Sequence, residues 1–295
     1  MTAGLVAIPG VSVGHWTHPT ARTGCTVVVL PEPNVVAVET RGAAPGSRET
    51  ALLAPGMKVE MAQAIVLTGG SAFGLAAADG VVAGLESQGR GHPTPAGPVP
   101  IVPAAVVFDL MEGDGSVRPG PVEGRAAFES ASAAEARSGR IGAGAGCTVG
   151  QWRGMSIPSG LGSAVVEVDD ARVAAMAVVN AVGDVFALEG DSLTGGTPVP
   201  ARPPFLPSAG QNTTLAVVAT DASYGRAELT RLAIRGQDAL SVCIRPSHTR
   251  FDGDTVFAVS CGAVDAPLDL VAEAAFEAVG RAIEAAVKAA RAQVR

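Results

Sequence analysis

The segment from residue 210 to residue 221 reads Gly210-Gln-Asn-Thr-Thr-Leu-Ala-Val-Val-Ala-Thr-Asp221, and it joins two different kinds of sequence. Before it, residues 191–210 hold five prolines and three glycines, which makes this stretch the best linker candidate in the chain. After it, residues 214–220 are mostly apolar or β-branched, a pattern that predicts a buried strand. The chain therefore passes from an irregular loop into the core at Asn212 and Thr213.

A threonine at this junction has two interpretations. Asn-Thr-Thr before a strand is often only a turn that leads into the strand. The alternative is chemical, because a threonine hydroxyl becomes a useful nucleophile when its own free α-amine acts as the base. That amine has a reference pKa of about 7.7–8.0, so much of it is neutral near pH 8. Freeing it requires cleavage of the bond between residues 212 and 213, which the Thr213 hydroxyl can begin by attacking the Asn212 carbonyl.

The composition predicts a folded chain with a large core. Hydrophobic residues make up 47% of the 295 residues and charged residues 17%, which argues against wholesale disorder. The net charge is −7 and no Lys/Arg cluster is present, so a nucleic-acid partner is not expected, since phosphates need clustered cations. No uncharged apolar run reaches the roughly 20 residues needed to cross a bilayer, and we expect no membrane partner.

The cysteines and the N-terminus favour a cytoplasmic location. Cys25, Cys147, Cys243 and Cys261 are scattered and form no CxxC pair, and the histidines add no metal-ligand spacing. We therefore expect buried free thiols in a reducing compartment, with no metal and no cofactor. The first residues also lack the basic region and long apolar run of a signal peptide.

The order of the predicted elements indicates an α+β fold in which helices cover sheets, a layered sandwich. Strands are predicted at 26–30, 35–39, 64–67, 99–108, 163–168, 172–180, 214–220, 241–244 and 255–261. Helices are predicted at 72–85, 123–137, 225–236 and 268–293.

Six blocks of sequence, spread in order over nearly the full chain, point to a family. They are Val13-Gly-His-Trp16 with Ala21-Arg-Thr-Gly-Cys-Thr-Val27, Gly42-Ala-Ala-Pro-Gly-Ser-Arg-Glu-Thr50, Leu67-Thr-Gly-Gly-Ser-Ala-Phe-Gly-Leu75, Val178-Val-Asn-Ala-Val-Gly-Asp184, Asn212-Thr-Thr-Leu-Ala-Val-Val-Ala-Thr220 and Phe251-Asp-Gly-Asp-Thr-Val-Phe257. Together they resemble the L-aminopeptidase/D-esterase and nylon-oligomer hydrolase family, whose members cleave themselves before a Ser or Thr. The threonine and the Asp-Gly-Asp pattern are more similar to the nylon-oligomer hydrolases than to the aminopeptidases.

The resemblance implies an α/β/β/α sandwich of the aminopeptidase/ornithine acetyltransferase type, formed by a single domain over residues 1–295. It also implies self-processing into a larger fragment, 1–212, and a smaller one, 213–295, which remain associated. The family commonly assembles four such pairs, so a homo-oligomer is expected. The implied substrate is a small peptide or amide, including ω-amino acid (nylon-like) oligomers.

The resemblance also implies roles for four residues. Thr213 is the expected nucleophile, and the Asn180 amide is the expected hydrogen-bond donor to the oxyanion of the tetrahedral intermediate. Asp252 and Asp254 match a pair that positions the hydroxyl and amine of the nucleophile, and in an extended segment both would face the same side. The alternatives are structural: an Asn180 that only satisfies a turn, and an Asp-Gly-Asp segment that is a solvated turn. A metal site is weaker still, because two carboxylates rarely suffice.

The substrate pocket is expected to include Phe108 and Gln151. Gln151 stands where the nylon-oligomer hydrolases are expected to have lysine, which puts the choice of substrate in question. Gly69 and Gly70, before a predicted helix, can offer backbone N–H groups to an anion or oxyanion, although close packing explains them equally well.

One absence bears on the substrate. The aminopeptidase branch holds the ammonium of its substrate with an acid on the strand that here spans residues 104–108, and this strand has none. We therefore expect an amidase that accepts internal or ω-amino amide bonds. The alternatives are an L-aminopeptidase/D-esterase, a related acyl transferase, or an uncleaved binding scaffold without catalysis.

Overall fold

Two five-stranded sheets lie face to face between two layers of helices. The structure is a computed structural model that describes residues 4–204 and 212–294. Its strands, in chain order, are Ser12–Thr17 (β1), Gly24–Val29 (β2), Val35–Thr40 (β3), Ser47–Arg48 (β4), Ala64–Thr68 (β5), His92–Thr94 (β6), Gly97–Val99 (β7), Ala104–Val106 (β8), Thr148–Val149 (β9), Ile157–Pro158 (β10), Leu161–Val168 (β11), Ala171–Asn180 (β12), Asp184–Val185 (β13), Thr213–Ala222 (β14), Ile244–Arg245 (β15) and Thr255–Val264 (β16). Its α-helices are Ala77–Ser87 (α1), Pro121–Glu129 (α2), Arg226–Cys243 (α3) and Leu268–Val294 (α4).

The order of the strands defines the layers. The first sheet has the order β1-β2-β5-β8-β4 and the second has the order β11-β12-β14-β16-β3. One apolar cluster fills the space between the sheets, a second joins the second sheet to α3 and α4, and a third joins the first sheet to α1 and α2. This is the α/β/β/α sandwich that the sequence predicts.

Strand β14 is buried on both faces in the middle of the second sheet. Leu215 and Val217 belong to the cluster between the sheets, whereas Ala216 and Val218 belong to the cluster under α3 and α4. Because side chains alternate along a strand, Thr213 points towards the space between the sheets. A strand covered on both faces reads as a continuous apolar run, which explains why the segment was recognisable in the sequence.

Small residues let helix α4 lie very close to the second sheet. A Cβ on Gly162 of β11 would stand 2.2 Å from the Ala282 carbonyl oxygen and 2.3 Å from the Ala286 nitrogen. Only glycine fits there, and the alanines of α4 supply the matching smooth surface. The heavy use of alanine is therefore a consequence of close packing between this helix and β11.

Several predicted boundaries are wrong. The helix expected at 123–137 ends at Glu129, and Ser132 forms a bridge with Val13 of β1. The strand expected at 99–108 is interrupted after Val99 and resumes at Ala104, because Pro100 and Pro103 cannot donate ladder hydrogen bonds.

Two other expectations also differ from the structure. The strand expected at 241–244 is the last turn of α3, which ends at Cys243, and only Ile244 of that stretch lies in a strand. Strand β1 had no counterpart among the predicted strands. In the linker expected at 191–210, residues 194–204 contain no helix or strand, and positions 205–210 lie outside the described residues.

Hydrogen bonds from the Arg226 side chain connect the start of α3 to the loop before β5. Its guanidinium is buried and donates to five carbonyl oxygens, those of Val36, Leu52, Ala54, Met57 and Val59. Four of these acceptors lie in the loop, so one side chain holds several of its carbonyl groups.

We expect Arg226→Met to lower the free energy of unfolding by about 3–5 kcal/mol, because removing a buried charged donor leaves several carbonyl groups unpaired. Denaturant unfolding of the purified variant measures this change. Arg231→Met, an exposed position on the same helix, is the matched control and should change the free energy of unfolding by less than about 0.5 kcal/mol. Equal effects of the two substitutions would contradict the assigned role.

None of the helices within the described residues combines the length and apolar character needed to cross a bilayer.

Candidate active site

Thr213 and Asn180 lie opposite each other on neighbouring strands. β12 and β14 are antiparallel, and their register pairs Asn180 with Thr213. Directly opposed residues on such strands place their side chains on the same face, about 4.5–5.5 Å apart at Cβ. Asn180 lies on the same face of β12 as Val178 and Met176, which belong to the cluster between the sheets. The side chains of Asn180 and Thr213 therefore stand at the end of this apolar layer.

The bond before Thr213 is held in a defined geometry. The Thr213 hydroxyl donates to the Asn212 carbonyl oxygen at 2.5 Å, and the same oxygen accepts the N–H of Gly253 at 3.1 Å. Thr213 is only 5% exposed and Asn212 1%. The Thr213 hydroxyl thus contacts the carbonyl group of the peptide bond that the sequence predicts to be cleaved, and a backbone N–H donates to the same carbonyl oxygen.

Asp252 and Asp254 lie beside this junction and have different partners. The Asp254 Oδ1 atom accepts the N–H of Thr214 at 2.7 Å, which fixes the start of β14. The Asp252 Oδ2 atom accepts the N–H and the hydroxyl of Thr249, at 2.8 and 2.7 Å. The spacing of the two aspartates predicts that both carboxylates lie on one side of the segment, near the expected nucleophile. In the structure the Asp254 side chain binds the backbone of β14, whereas Asp252 pairs its backbone with Asn212.

Glycine is required between the two aspartates. A Cβ at Gly253 would lie 2.5 Å from the Ala44 carbonyl oxygen. The close approach lets the Gly253 N–H reach the Asn212 oxygen.

The two carboxyl groups also influence each other's protonation. Burial, and next to it the charge of Asp254, raise the pKa of Asp252 to about 6. The pair therefore gains a proton on Asp252 as the pH falls through about 6.

The Asn180 side chain connects the second sheet to the segments that follow the first. Its Oδ1 atom accepts the N–H of Thr148 and its Nδ2 atom donates to the Phe108 carbonyl oxygen, both at 3.0 Å. These partners define which end of the amide is the donor. Asn180 is therefore a buried amide whose side chain is fixed by two hydrogen bonds and lies opposite Thr213 in the register.

A cavity of about 210 Å³ opens beside the junction, and its lining residues are Phe108, Met111, Glu112, Thr148, Gln151, Ser156 and Asn212. Two of them, Phe108 and Gln151, are residues that the sequence assigned to the pocket. Gln151 donates to the Thr148 hydroxyl at 2.7 Å. Larger cavities lie elsewhere on the molecule, but this one has Asn212 of the 212–213 junction among its lining residues.

Sequence reasoning missed the acid in this cavity. Glu112 comes from the loop after β8 and accepts hydrogen bonds from Ser156 at 3.0 Å and from Thr148 at 3.3 Å. The strand at 104–108 itself has no acid, but the loop that follows it brings one to the cavity. Because Glu112 is four residues beyond Phe108, only the course of the loop brings its carboxylate to the cavity.

Gly69 and Gly70 do not present free backbone donors. The Gly69 N–H donates to the Gly24 carbonyl at 2.9 Å, and the Gly70 N–H donates to Asp109 Oδ1 at 2.7 Å. Neither glycine lines the cavity beside Thr213. The close-packing explanation therefore replaces the proposed binding role: a Cβ on Gly69 would stand 2.0 Å from the Asp109 Oδ2 atom.

Asp109 is a second residue that sequence reasoning missed. It is 3% exposed, and burial raises the pKa of its carboxyl group. It follows Phe108 directly and so couples the turn at Gly70 to the segment that Asn180 binds.

Residues 4–204 and 212–294 contain no cluster of three or more His, Cys, Asp or Glu side chains arranged to bind a metal ion.

The sequence profile of peptidase family S58 matches residues 4–294. This chain belongs to peptidase family S58. Among the relatives of this S58 peptidase, an uncharacterized aminopeptidase of Mycobacterium leprae is 41% identical over 88% of this chain and 78% of its own length. A 6-aminohexanoate-oligomer endohydrolase of a Kocuria species is 33% identical over 88% of this chain and 75% of its own length. The predicted family is confirmed, and the S58 peptidase is a hydrolase.

Solved structures confirm the fold of this S58 peptidase. An L-aminopeptidase D-Ala-esterase/amidase of Ochrobactrum anthropi, described as a variant of the Ntn hydrolase fold, superposes with a TM-score of 0.75 at 20% identity, covering 98% of this chain and 88% of its own. A β-aminopeptidase of a Burkholderia species gives a TM-score of 0.73 at 19% identity, covering 98% and 86%.

Proposed function

We propose that this S58 peptidase cleaves its own chain between Asn212 and Thr213 and then hydrolyses small amides with the new N-terminal threonine. The observation that carries the proposal is the 2.5 Å hydrogen bond from the Thr213 hydroxyl to the Asn212 carbonyl oxygen. It is supported by Gly253, whose N–H polarises the same carbonyl, and by Asp254, which fixes the next residue of the strand.

Self-cleavage begins when Thr213 Oγ1 adds to the carbonyl carbon of Asn212. The C–N bond then breaks as the new C–O ester bond remains, and the hydroxyl proton passes to the departing nitrogen, which becomes the α-amine of Thr213. Water hydrolyses the ester, so that Asn212 ends in a carboxylate and Thr213 regains its hydroxyl.

Hydrolysis of a substrate amide repeats this chemistry with the amine as the base. The α-amine takes the hydroxyl proton while Oγ1 attacks the substrate carbonyl, and it returns a proton to the leaving nitrogen. Asn180, opposite Thr213 in the register, is the proposed donor to the oxyanion that forms. Water then releases the acyl group from Thr213.

Denaturing electrophoresis with intact-mass measurement tests the first step. The proposal predicts fragments of 212 and 83 residues, about 21 and 8 kDa out of the 29.3 kDa chain, and N-terminal sequencing of the smaller one should read Thr-Thr-Leu. A released-amine assay over dipeptides, D-amino acid esters and aminohexanoate oligomers then defines the substrate. Active material that consists only of the unbroken chain would overturn the proposal.

The cavity favours a second candidate within the same reaction class, an aminopeptidase. Glu112 is the only ionisable side chain among the lining residues of the cavity, and the remaining surface combines Phe108 and Met111 with small hydroxyls. A carboxylate in a small, partly apolar cavity favours a substrate that carries an ammonium group near the amide to be cleaved. The ω-amino oligomers remain candidates, because they also end in an ammonium group.

We expect Glu112→Gln to lower kcat/KM for substrates with a free amine by about 10- to 100-fold, the value of one hydrogen bond to a charged group. Glutamine keeps the acceptor for Ser156 and Thr148, so the change removes mainly the charge. The N-acetylated form of each substrate should be hydrolysed at the wild-type rate.

Glu167→Gln, an exposed substitution on β11, is the control for Glu112→Gln and should leave both substrate forms unaffected. An equal loss for free and acetylated substrates would mean that Glu112 maintains the shape of the cavity and does not select an ammonium group.

The assembly and location are part of the proposal. We infer that the two fragments remain associated, because β14 and β16 of the smaller fragment pair with β12 and β3 of the larger one. Four processed pairs are the expected assembly, which light scattering of the purified protein would test. The cytoplasm is the proposed location, since all four cysteines are free thiols.

A further inference from the structure

A histidine that the mechanism above does not use lies against Asp254, on the side away from Thr214. The His248 Nδ1 atom is 2.8 Å from Asp254 Oδ2, and the His248 backbone N–H donates to the same oxygen at 3.2 Å. The opposite ring nitrogen, Nε2, is 3.2 Å from the carbonyl oxygen of Gln237 in α3. The histidine side chain is mostly buried.

Both partners of the His248 ring are acceptors. A carboxylate oxygen and a carbonyl oxygen offer lone pairs only, whereas a neutral imidazole carries one N–H. The ring satisfies both contacts only as an imidazolium, with a proton on each nitrogen. Burial by itself lowers the pKa of His248, but the hydrogen bond to Asp254 and the charge of Asp254 outweigh it, and the pKa of His248 is raised.

Other charged groups around this ring come from three elements. Asp252 lies in the same loop, and it carries a negative charge above its raised pKa of about 6. Arg41, after β3, opposes protonation of the ring, but it is paired with Glu39 at 3.3 Å and with Asp238 of α3 at 3.7 Å. The surroundings are thus net acidic, and they favour the imidazolium.

A chain of contacts links this ring to the nucleophile. Gln237 accepts from His248, His248 donates to Asp254 Oδ2, and Asp254 Oδ1 accepts from Thr214. Gln237 also donates through Nε2 to the backbone carbonyl of Asp254. Asp254 is therefore held from three directions, and the residue after Thr213 is held by Asp254.

We propose that His248 is a positioning residue for the Thr213 nucleophile: its imidazolium clamps Asp254 on the N–H of Thr214 and offsets the charge of the two buried aspartates. The inference rests on the proposed function for its catalytic consequence, although the clamp itself is a property of the unprocessed chain. His248 does not line the cavity beside Asn212, so it should influence kcat without changing KM.

The pH dependence follows from the direction of the shift. A histidine with a raised pKa stabilises the folded state fully below its unfolded pKa of about 6.5, and this stabilisation is lost as the pH rises through the folded value. The positioning of Thr214 weakens over the same range. Wild-type kcat should therefore show a falling alkaline limb that belongs to His248.

The experiment compares wild type with His248→Asn, in which a neutral amide replaces the Nδ1 donor. We expect kcat to fall by about tenfold, the loss of one charge-assisted hydrogen bond, with KM unchanged and the alkaline limb absent. His92→Asn, on the β6–β7 hairpin, is the matched control and should keep the wild-type kcat and pH profile. A His248→Asn variant with wild-type kcat and the same alkaline limb would overturn the inference.

A second measurement does not depend on activity. The ring nitrogens of His248 are followed by NMR titration in the Thr213→Ala precursor, with the signal assigned from its loss in the double variant with His248→Asn. The inference predicts two protonated ring nitrogens at neutral pH and a titration above the ordinary histidine value. A neutral ring at pH 7 would refute the clamp even if self-cleavage is correct, whereas a wild-type chain that never cleaves would refute the proposed function and leave this titration valid.

Discussion

Thr213→Ala is expected to yield one unbroken 295-residue chain with no amide hydrolase activity. The substitution removes the hydroxyl that contacts the Asn212 carbonyl oxygen, and no other hydroxyl replaces it in that contact within the described residues. Without cleavage the α-amine stays in a peptide bond, so the base is lost together with the nucleophile. The loss in kcat should be on the order of 10⁶-fold, as for removal of a nucleophile that acts in a catalytic unit.

Intact-mass measurement and the released-amine assay check this outcome together. Thr213→Ser keeps a hydroxyl and should still cleave and hydrolyse, at an altered rate. Thr197→Ala, in an exposed loop, should behave as wild type. Cleavage at residue 212 in the alanine variant would show that the bond is broken without Thr213, and the proposed mechanism would then be wrong.

The second large effect is expected at Asn180. Asn180→Ala removes the amide beside Thr213 and should lower kcat by about 10²–10³-fold, equivalent to roughly 3–4 kcal/mol of transition-state stabilisation. Asn180→Asp keeps an oxygen for the Thr148 N–H but loses the donors and places negative charge next to the developing oxyanion. Its kcat should fall at least as far.

Steady-state kinetics on fully processed protein separates this effect from slow self-cleavage, and the fraction processed is measured on the same samples. Gln151→Ala changes another amide of the same cavity and serves as the comparison, with an expected effect mainly on KM. If Asn180→Ala altered KM and left kcat near the wild-type value, Asn180 would bind substrate without stabilising the transition state.

The secondary structure near the junction could be predicted because its physical causes are local. β14 reads as a continuous apolar run since both of its faces are covered, and residues 198–204, which hold four prolines, form no strand. The boundaries of helices and strands that were predicted wrongly depend on contacts with other segments of the chain. The turn after Glu129 ends α2 because the Ser130 hydroxyl donates to the backbone of the last turn and accepts the N–H of His15.

The short apolar run at 241–244 illustrates a different limit. Its residues suit either a strand or the end of a helix, and periodicity over four positions does not discriminate. The structure continues α3 to Cys243 because Leu240 and Cys243, three positions apart, both reach the core between α3, α4 and the second sheet.

The sequence by itself determined the α/β/β/α class, the family and the identity of Thr213, Asn180, Asp252 and Asp254 as candidates, since these follow from local patterns and from six ordered blocks. Only the tertiary structure decided which contacts they make. It placed Asp254 on the backbone of β14 and Asp252 on Thr249, and it brought Glu112 into the cavity and His248 onto Asp254. It also engaged the backbone N–H groups of Gly69 and Gly70 in hydrogen bonds within the protein. Contacts between distant segments depend on strand register and on the course of loops, and neither is encoded in the spacing of residues along one segment.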